Sequence, residues 1–263
     1  MFKRKRLAVV AGIIFLAGFL LAGFIRQQYV VPIIMYHSVN PQAVPENRLA
    51  VTSATFDRQM HFLKSRRYNV VTLETLRDLI KNKRMIPPKT IAITFDDGYK
   101  DNYTYAFPIL KKYGLSATLF IIVNEVGRPR GDRLSWDQIR AMRDSGIINF
   151  GSHCLGPEPL TKIASEEVVR REIFASKRIL EENLGSQVNA FSYPEGGFND
   201  KIRQLVIDAG YKVAVATSPG KDYPGDDIFV LKRLRISENA RNLFIFWVEA
   251  SGFYTFMKER RHK

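Results

Sequence analysis

Thr90-Ile91-Ala92-Ile93-Thr94-Phe95-Asp96-Asp97-Gly98 runs an apolar segment directly into two adjacent carboxylates and a glycine. The apolar part reads as a buried strand over 90–95. Carboxylates at the end of such a strand are costly unless they are paired, protonated or bound to a cation. Within a regular strand, neighbouring side chains point to opposite faces. At a strand end, where Gly98 lets the chain turn, both carboxylates can reach one cleft. One can then hold a metal while the other takes a proton, so the stretch reads as part of an enzyme.

Downstream of residue 89 the pattern alternates. Helices are predicted around 103–113 (ended by Gly114), from Ser135 to Asp144 with Ser135-x-x-Gln138 as a capping box, over 165–183 and over 200–209. Between them lie predicted strands at 117–123, 147–152, 190–193 and 212–216, with a weaker one near 230–236. Upstream, 30–36 reads as a buried strand and 41–51 as a polar loop. The helical spacing of Phe56, Met60 and Leu63 precedes a short strand at 69–72 and a helix at 73–81. Strands alternating with helices imply a parallel sheet with helices outside. The expectation is an α/β fold, a distorted (β/α) barrel of about seven strands preceded by one transmembrane helix.

The chain has 263 residues and a hydrophobic content of 46%, enough for one large barrel. Lys3-Arg4-Lys5-Arg6 precede an uncharged apolar run over 7–25. Its 19 residues would span roughly 28 Å as a helix, close to the hydrocarbon thickness of a bilayer. The run exceeds a typical signal-peptide core, and Ala22-Gly23-Phe24 is a poor cleavage site. The organisation expected is a cytoplasmic basic segment at 1–6, an uncleaved signal anchor at 7–25 and an extracytoplasmic domain at 26–263, ending in an aromatic and basic helix at about 238–263. The termini carry much of the net charge of +14, +4 at residues 3–6 and +3 at residues 258–263. No nucleic-acid motif accompanies it, so the charge suits a domain working near anionic lipid or an anionic polymer rather than nucleic acid. The single cysteine, Cys154, excludes an intrachain disulfide and a Cys-based zinc cluster.

His37, Asp96, Asp97, His153 and Tyr193 all fall at predicted strand ends, which in such barrels is where chemistry sits. Taken singly, Asp-Asp-Gly also suits a solvated turn. A histidine ending an apolar strand also suits a structural role. Phe191-Ser192-Tyr193-Pro194-Glu195-Gly196-Gly197 is either an ordinary turn or a loop that aims backbone N–H groups at an oxyanion. Convergence from four strands favours function.

These motifs together resemble the polysaccharide deacetylase family, the group with NodB homology. Thr94–Gly98 matches its first motif throughout. Ile33-Ile34-Met35-Tyr36-His37-Ser38-Val39 resembles the Met-Tyr-His motif of members whose general-acid histidine lies near the N-terminus. Phe191–Gly196 is similar to the family's Phe-x-Tyr-Pro-x-Gly. The resemblance covers about residues 30–236. It implies a metal-dependent hydrolase that removes acetyl groups from N-acetylated sugars. Asp96 would be the general base, His37 the acid for the leaving amine, Asp97 and His153 ligands to a divalent metal, most simply zinc, and the backbone near Tyr193 and Pro194 an oxyanion holder.

The family's second motif, His-Ser/Thr-x-x-His, is where the sequence departs. Here it reads His153-Cys154-Leu155-Gly156-Pro157-Glu158, with Pro157 in place of the second histidine. Catalytic zinc usually takes three protein ligands, so Glu158 or the Cys154 thiolate would have to substitute. Asn189 stands in the region where many members carry an arginine that supports the base. Two rivals follow: a catalytically impaired glycan-binding or assembly protein, and a glycoside hydrolase. The second fits poorly, because glycosidase carboxylates lie about 5 to 9 Å apart across a sugar.

Overall fold

Strand β5 (Thr90–Phe95) is buried at every residue and is paired on both sides. The computed structural model describes residues 31–44, 46–82, 86–129, 131–217 and 227–252. In chain order the elements are β1 (Ile33–Tyr36), β2 (Ser38–Val39), β3 (Ala50–Val51), α1 (Ser53–Ser65), β4 (Asn69–Val70), α2 (Leu73–Lys81), β5, α3 (Phe107–Tyr113), β6 (Ala117–Ile121), α4 (Trp136–Asp144), β7 (Ile148–Ser152), α5 (Glu166–Leu184), β8 (Ala190–Ser192), α6 (Asp200–Asp208), β9 (Val213–Ala216), β10 (Leu231–Lys232), β11 (Leu234–Arg235) and α7 (Leu243–Glu249).

All the ladders are parallel, in the order β10-β9-β8-β7-β6-β5-β1-β11, with β4 paired to the start of β5. The two ends of this order are consecutive in sequence. Leu231 and Lys232 pair with Val215 and Ala216 of β9, and Leu234 and Arg235 pair with Ile34 and Met35 of β1. Between them Arg233 donates its N–H to Ala216 O. The segment 231–235 therefore crosses from one edge of the sheet to the other and closes a barrel. Counted as one strand, it makes seven with β1, β5, β6, β7, β8 and β9, the number expected.

Alternation divides the side chains into two sets. Ile33, Ala92, Phe120, Ala190, Val213, Val215 and Leu231 form one apolar cluster. Ile34, Tyr36, Ile91, Ile93, Phe95, Leu119, Phe191 and Ala214 form a larger one with the helices. The predicted apolar face of α1, Phe56, Met60 and Leu63, is fully buried, each side chain contributing about 1.5–3 kcal/mol. Tyr36 packs between Phe56 and Phe95, and its hydroxyl donates to Gln59 Oε1 at 2.8 Å. The capping box of α4 forms, with Gln138 N–H on Ser135 Oγ and Ser135 N–H on Gln138 Oε1.

Three expectations need correction. The loop at 41–51 contributes a strand, β3, which pairs in parallel with β2 just after His37. The helix expected from 103 opens instead as a π turn, Asn102–Ala106, before continuing as α3. The helix expected at about 238–263 begins as an irregular 3-10 turn, Glu238–Arg241. It starts afresh at α7, where Asn242 Oδ1 accepts from Phe244 N–H. Phe246 of α7 is buried against Phe62, whereas Phe244, Ile245 and Trp247 are exposed. No helix among the described residues is long and apolar enough to cross a membrane, and the run at 7–25 lies outside them.

Candidate active site

The barrel delivers His37, Asp96, Asp97 and His153 to the same end, at the C-terminal ends of β1, β5 and β7. Asp97 solves the problem posed by two neighbouring carboxylates. Its φ is +70°, followed by Gly98 at +66°. The left-handed step turns the chain immediately after β5, so that both side chains serve one site. Cys154 and Glu195 are also left-handed, at +67° and +54°. Three of the five non-glycine residues with positive φ among the described residues thus follow strands at this rim. Such backbone persists where the surroundings impose it.

Asp96 is 3% exposed and forms a bidentate pair with Arg233, with Nη1 to Oδ1 at 2.6 Å and Nη2 to Oδ2 at 2.7 Å. Arg233, equally buried, also donates to Ser192 Oγ at 2.9 Å and lies over the Phe120 ring at 5.4 Å. Burial alone would push the Asp96 carboxyl up. The charge and hydrogen bonds of Arg233, with His153 and His37, outweigh it and hold Asp96 at about 2. Sequence reasoning missed Arg233 and looked to Asn189 for this role. The arginine comes from the closing strand. Alternation with Leu234, which faces the other way, was the signal that could have found it.

His153 Nδ1 lies 2.8 Å from Ser192 O. A carbonyl only accepts, so Nδ1 carries a hydrogen, and in the neutral ring Nε2 is then an acceptor. Nε2 lies 3.6 Å from Asp97 Oδ1 and 3.9 Å from Asp96 Oδ2. Acceptor facing acceptor at this spacing is repulsive unless a proton or cation lies between. Ligands about 2.0–2.2 Å from a tetrahedral zinc are themselves a little over 3 Å apart, so Asp97 and His153 fit two positions of one coordination shell.

Glu158 does not join them. It and Pro157 are exposed, and among the described residues no three His, Cys, Asp or Glu side chains converge as a metal-binding group. The loop is held where it is. Glu172 Oε2 accepts from both Leu155 N–H and Gly156 N–H at 2.9 Å, while Cys154 O and Leu155 O accept from Val123 and Asn124. Cys154 is fully buried, and burial, with Glu172 nearby, pushes its thiol well up, so it stays protonated.

His37 is half-buried. Burial pushes its imidazole below the ordinary value, against the upward pull of Asp96 and Asp97. Tyr193 is fully buried; its N–H donates to Val215 O and its hydroxyl to Phe229 O. The Tyr193 amide is thus committed to the sheet. Beyond it Pro194 has no N–H, and the N–H groups of Gly196 and Gly197 turn back onto Tyr193 O and Pro194 O. The Tyr193, Gly196 and Gly197 amides of this loop are thus all engaged by backbone carbonyls.

A sequence model described as polysaccharide deacetylase matches residues 83–214. YxkH of Bacillus subtilis (strain 168) is 31% identical over 206 residues, covering 78% of this chain and 71% of that protein. The poly-beta-1,6-N-acetyl-D-glucosamine N-deacetylase of Staphylococcus aureus (strain MRSA252) is 28% identical over 201 residues, 73% of this chain and 69% of its own. Among solved structures, Streptococcus pyogenes deacetylase PplD in complex with acetate superposes with a TM-score of 0.73 at 30% identity, covering 81% of this chain and 96% of PplD. With its motifs on one rim of the barrel and this match to half its length, the chain belongs to the polysaccharide deacetylase family and is a hydrolase of N-acetyl groups.

Proposed function

We propose that this protein deacetylates an N-acetylated amino-sugar polysaccharide with the help of a divalent metal, on the outer side of a membrane that holds it through residues 7–25. The observation that carries the metal reading is His153 Nε2 facing Asp97 and Asp96 at 3.6 and 3.9 Å. Asp97 and His153 would hold the ion, most simply zinc. When bound, it polarises the acetyl carbonyl and makes water more acidic.

The remaining work falls to the chain's own residues. Asp96, kept ionised by Arg233, takes a proton from the attacking water as its oxygen bonds to the carbonyl carbon. A carboxylate held this low is a weak base, so Arg233 serves position and charge more than proton affinity. The loop after Tyr193 meets the developing oxyanion with backbone N–H. As the C–N bond breaks, His37 gives its proton to the nitrogen. Acetate and a free amine leave. The name of the staphylococcal relative supports poly-N-acetylglucosamine as the substrate. A polymer outside the membrane would match the anchor read at 7–25, and the exposed Phe244 and Trp247 suit a membrane interface.

The test is acetate release from oligomeric N-acetylglucosamine by metal-loaded and chelated protein, with Asp97→Ala alongside. Chelation and Asp97→Ala are each expected to lower the rate at least a hundredfold. Equal rates with and without metal would remove the metal from the reading. New reducing ends in place of acetate would remove deacetylation.

A further inference from the structure

Directly after Gly98 the chain reads Tyr99-Lys100-Asp101-Asn102, and two of these residues reach back to the opposite motif. Asn102 is 1% exposed, and its Nδ2 donates to His37 O at 2.7 Å and to Asp101 Oδ1 at 3.1 Å. Both partners are acceptors, which fixes the amide orientation. Asp101 Oδ2 accepts from Ser38 Oγ at 2.5 Å. His37 and Ser38 are therefore tied to the residues four and five places after Asp97. The π turn Asn102–Ala106 begins at this attachment. Single π turns commonly mark functional positions in helices.

The His37 ring needs this. Its Nδ1 is buried with no hydrogen-bond partner among the described residues, so on that side none of them orients the imidazole. Its placement relative to Asp96 rests on the backbone that carries it.

We propose that Asp101 and Asn102 are positioning residues for His37, clamping the segment that bears the acid against the loop that bears Asp96 and Asp97. The inference rests on the reading of His37 as the acid. That reading has a signature of its own. An amine leaving group needs a proton, whereas the 4-nitrophenolate of an acetate ester departs without one. A group that places the acid therefore matters for amide cleavage and little for ester cleavage. A group that merely stabilises the fold affects both alike.

The experiment compares hydrolysis of oligomeric N-acetylglucosamine and of 4-nitrophenyl acetate by the full chain and its variants. For His37→Gln, the amide rate should fall at least a hundredfold while the ester rate stays within about threefold, in line with the usual worth of a general acid. For Asn102→Ala, amide kcat should fall at least tenfold with KM nearly unchanged and the ester rate preserved. Asp101→Asn, which keeps the volume but accepts fewer hydrogen bonds, should show a smaller split of the same sign. A parallel fall in both rates, or no fall in the amide rate, for Asn102→Ala while His37→Gln splits them overturns the clamp alone. No split for His37→Gln overturns the acid assignment and the clamp with it. Should Asn102→Ala fail to fold, Asp101→Asn and Ser38→Ala decide the matter by the same criterion.

Discussion

Arg233 determines how Asp96 behaves as an acid. A buried carboxyl without a partner would be protonated well above its ordinary range; this one is held at about 2. The shift is a stability term with a definite sign. The folded value lies below the unfolded one, near 4, so the stabilisation is complete above that pH and is lost as pH falls from about 4 through 2. It amounts to about 2 kcal/mol. Denaturant titrations at pH 5 and pH 2 should show Asp96→Asn flattening that part of the profile. Removing the other partner is costlier. Arg233→Met leaves an unpaired buried carboxylate and should destabilise by about 3–5 kcal/mol, with much of that recovered in the double variant with Asp96→Asn. The two partners differ in how readable they were. Asp96, Asp97, His37 and His153 stood out because all four fall at the ends of apolar strands, where the chemistry of such barrels sits. Arg233 sits between Lys232 and Arg235 in a stretch where another basic residue means little, and only closure of the barrel turns it inward.

The elements carry their own constraints, and β7 shows the strictest. A Cβ on Gly151 would lie 2.5 Å from two Phe120 ring carbons and 2.9 Å from Ala190 O. Phe120 is the ring beneath Arg233, so the missing side chain makes room for the platform under the charged pair. Gly151→Ala should cost about 1–3 kcal/mol as overpacking, visible as a fall in Tm, and Phe120→Leu in the same chain should restore part of it. Boundaries of strands and helices were legible wherever period and caps agreed, as for α2, β5 and the Ser135 box. What escaped was decided by distant partners. The π turn at Asn102 follows from a side chain bonded to His37 O, and the loop after His153 is set by Glu172 on α5. Neither contact has a local sequence signal. The exposed position of Glu158, apart from Asp97 and His153, has the same origin, since spacing cannot show that a loop is pinned elsewhere.

At the scale of the molecule, a seven-stranded barrel was legible because alternating strands and helices leave few other ways to bury both faces of a parallel sheet. How it closes was not, since 230–236 reads as one weak strand and in fact serves both edges. The proposed anchor also belongs to this scale. The full chain should sediment with membranes and resist alkaline carbonate, its domain should be cut by protease added to intact cells, and a chain beginning at residue 27 should be released. Recovery of full-length chain as free protein would end the anchoring reading.

The closing strand links chemistry to the order of synthesis. The guanidinium that keeps Asp96 ionised enters at position 233 of 263. A chain that ends before this strand lacks both the segment that joins β9 to β1 and the guanidinium that pairs with Asp96. A stretch of chain can therefore carry every motif of the family and still lack the partner that keeps Asp96 ionised, which arrives only with the strand that crosses from β9 to β1.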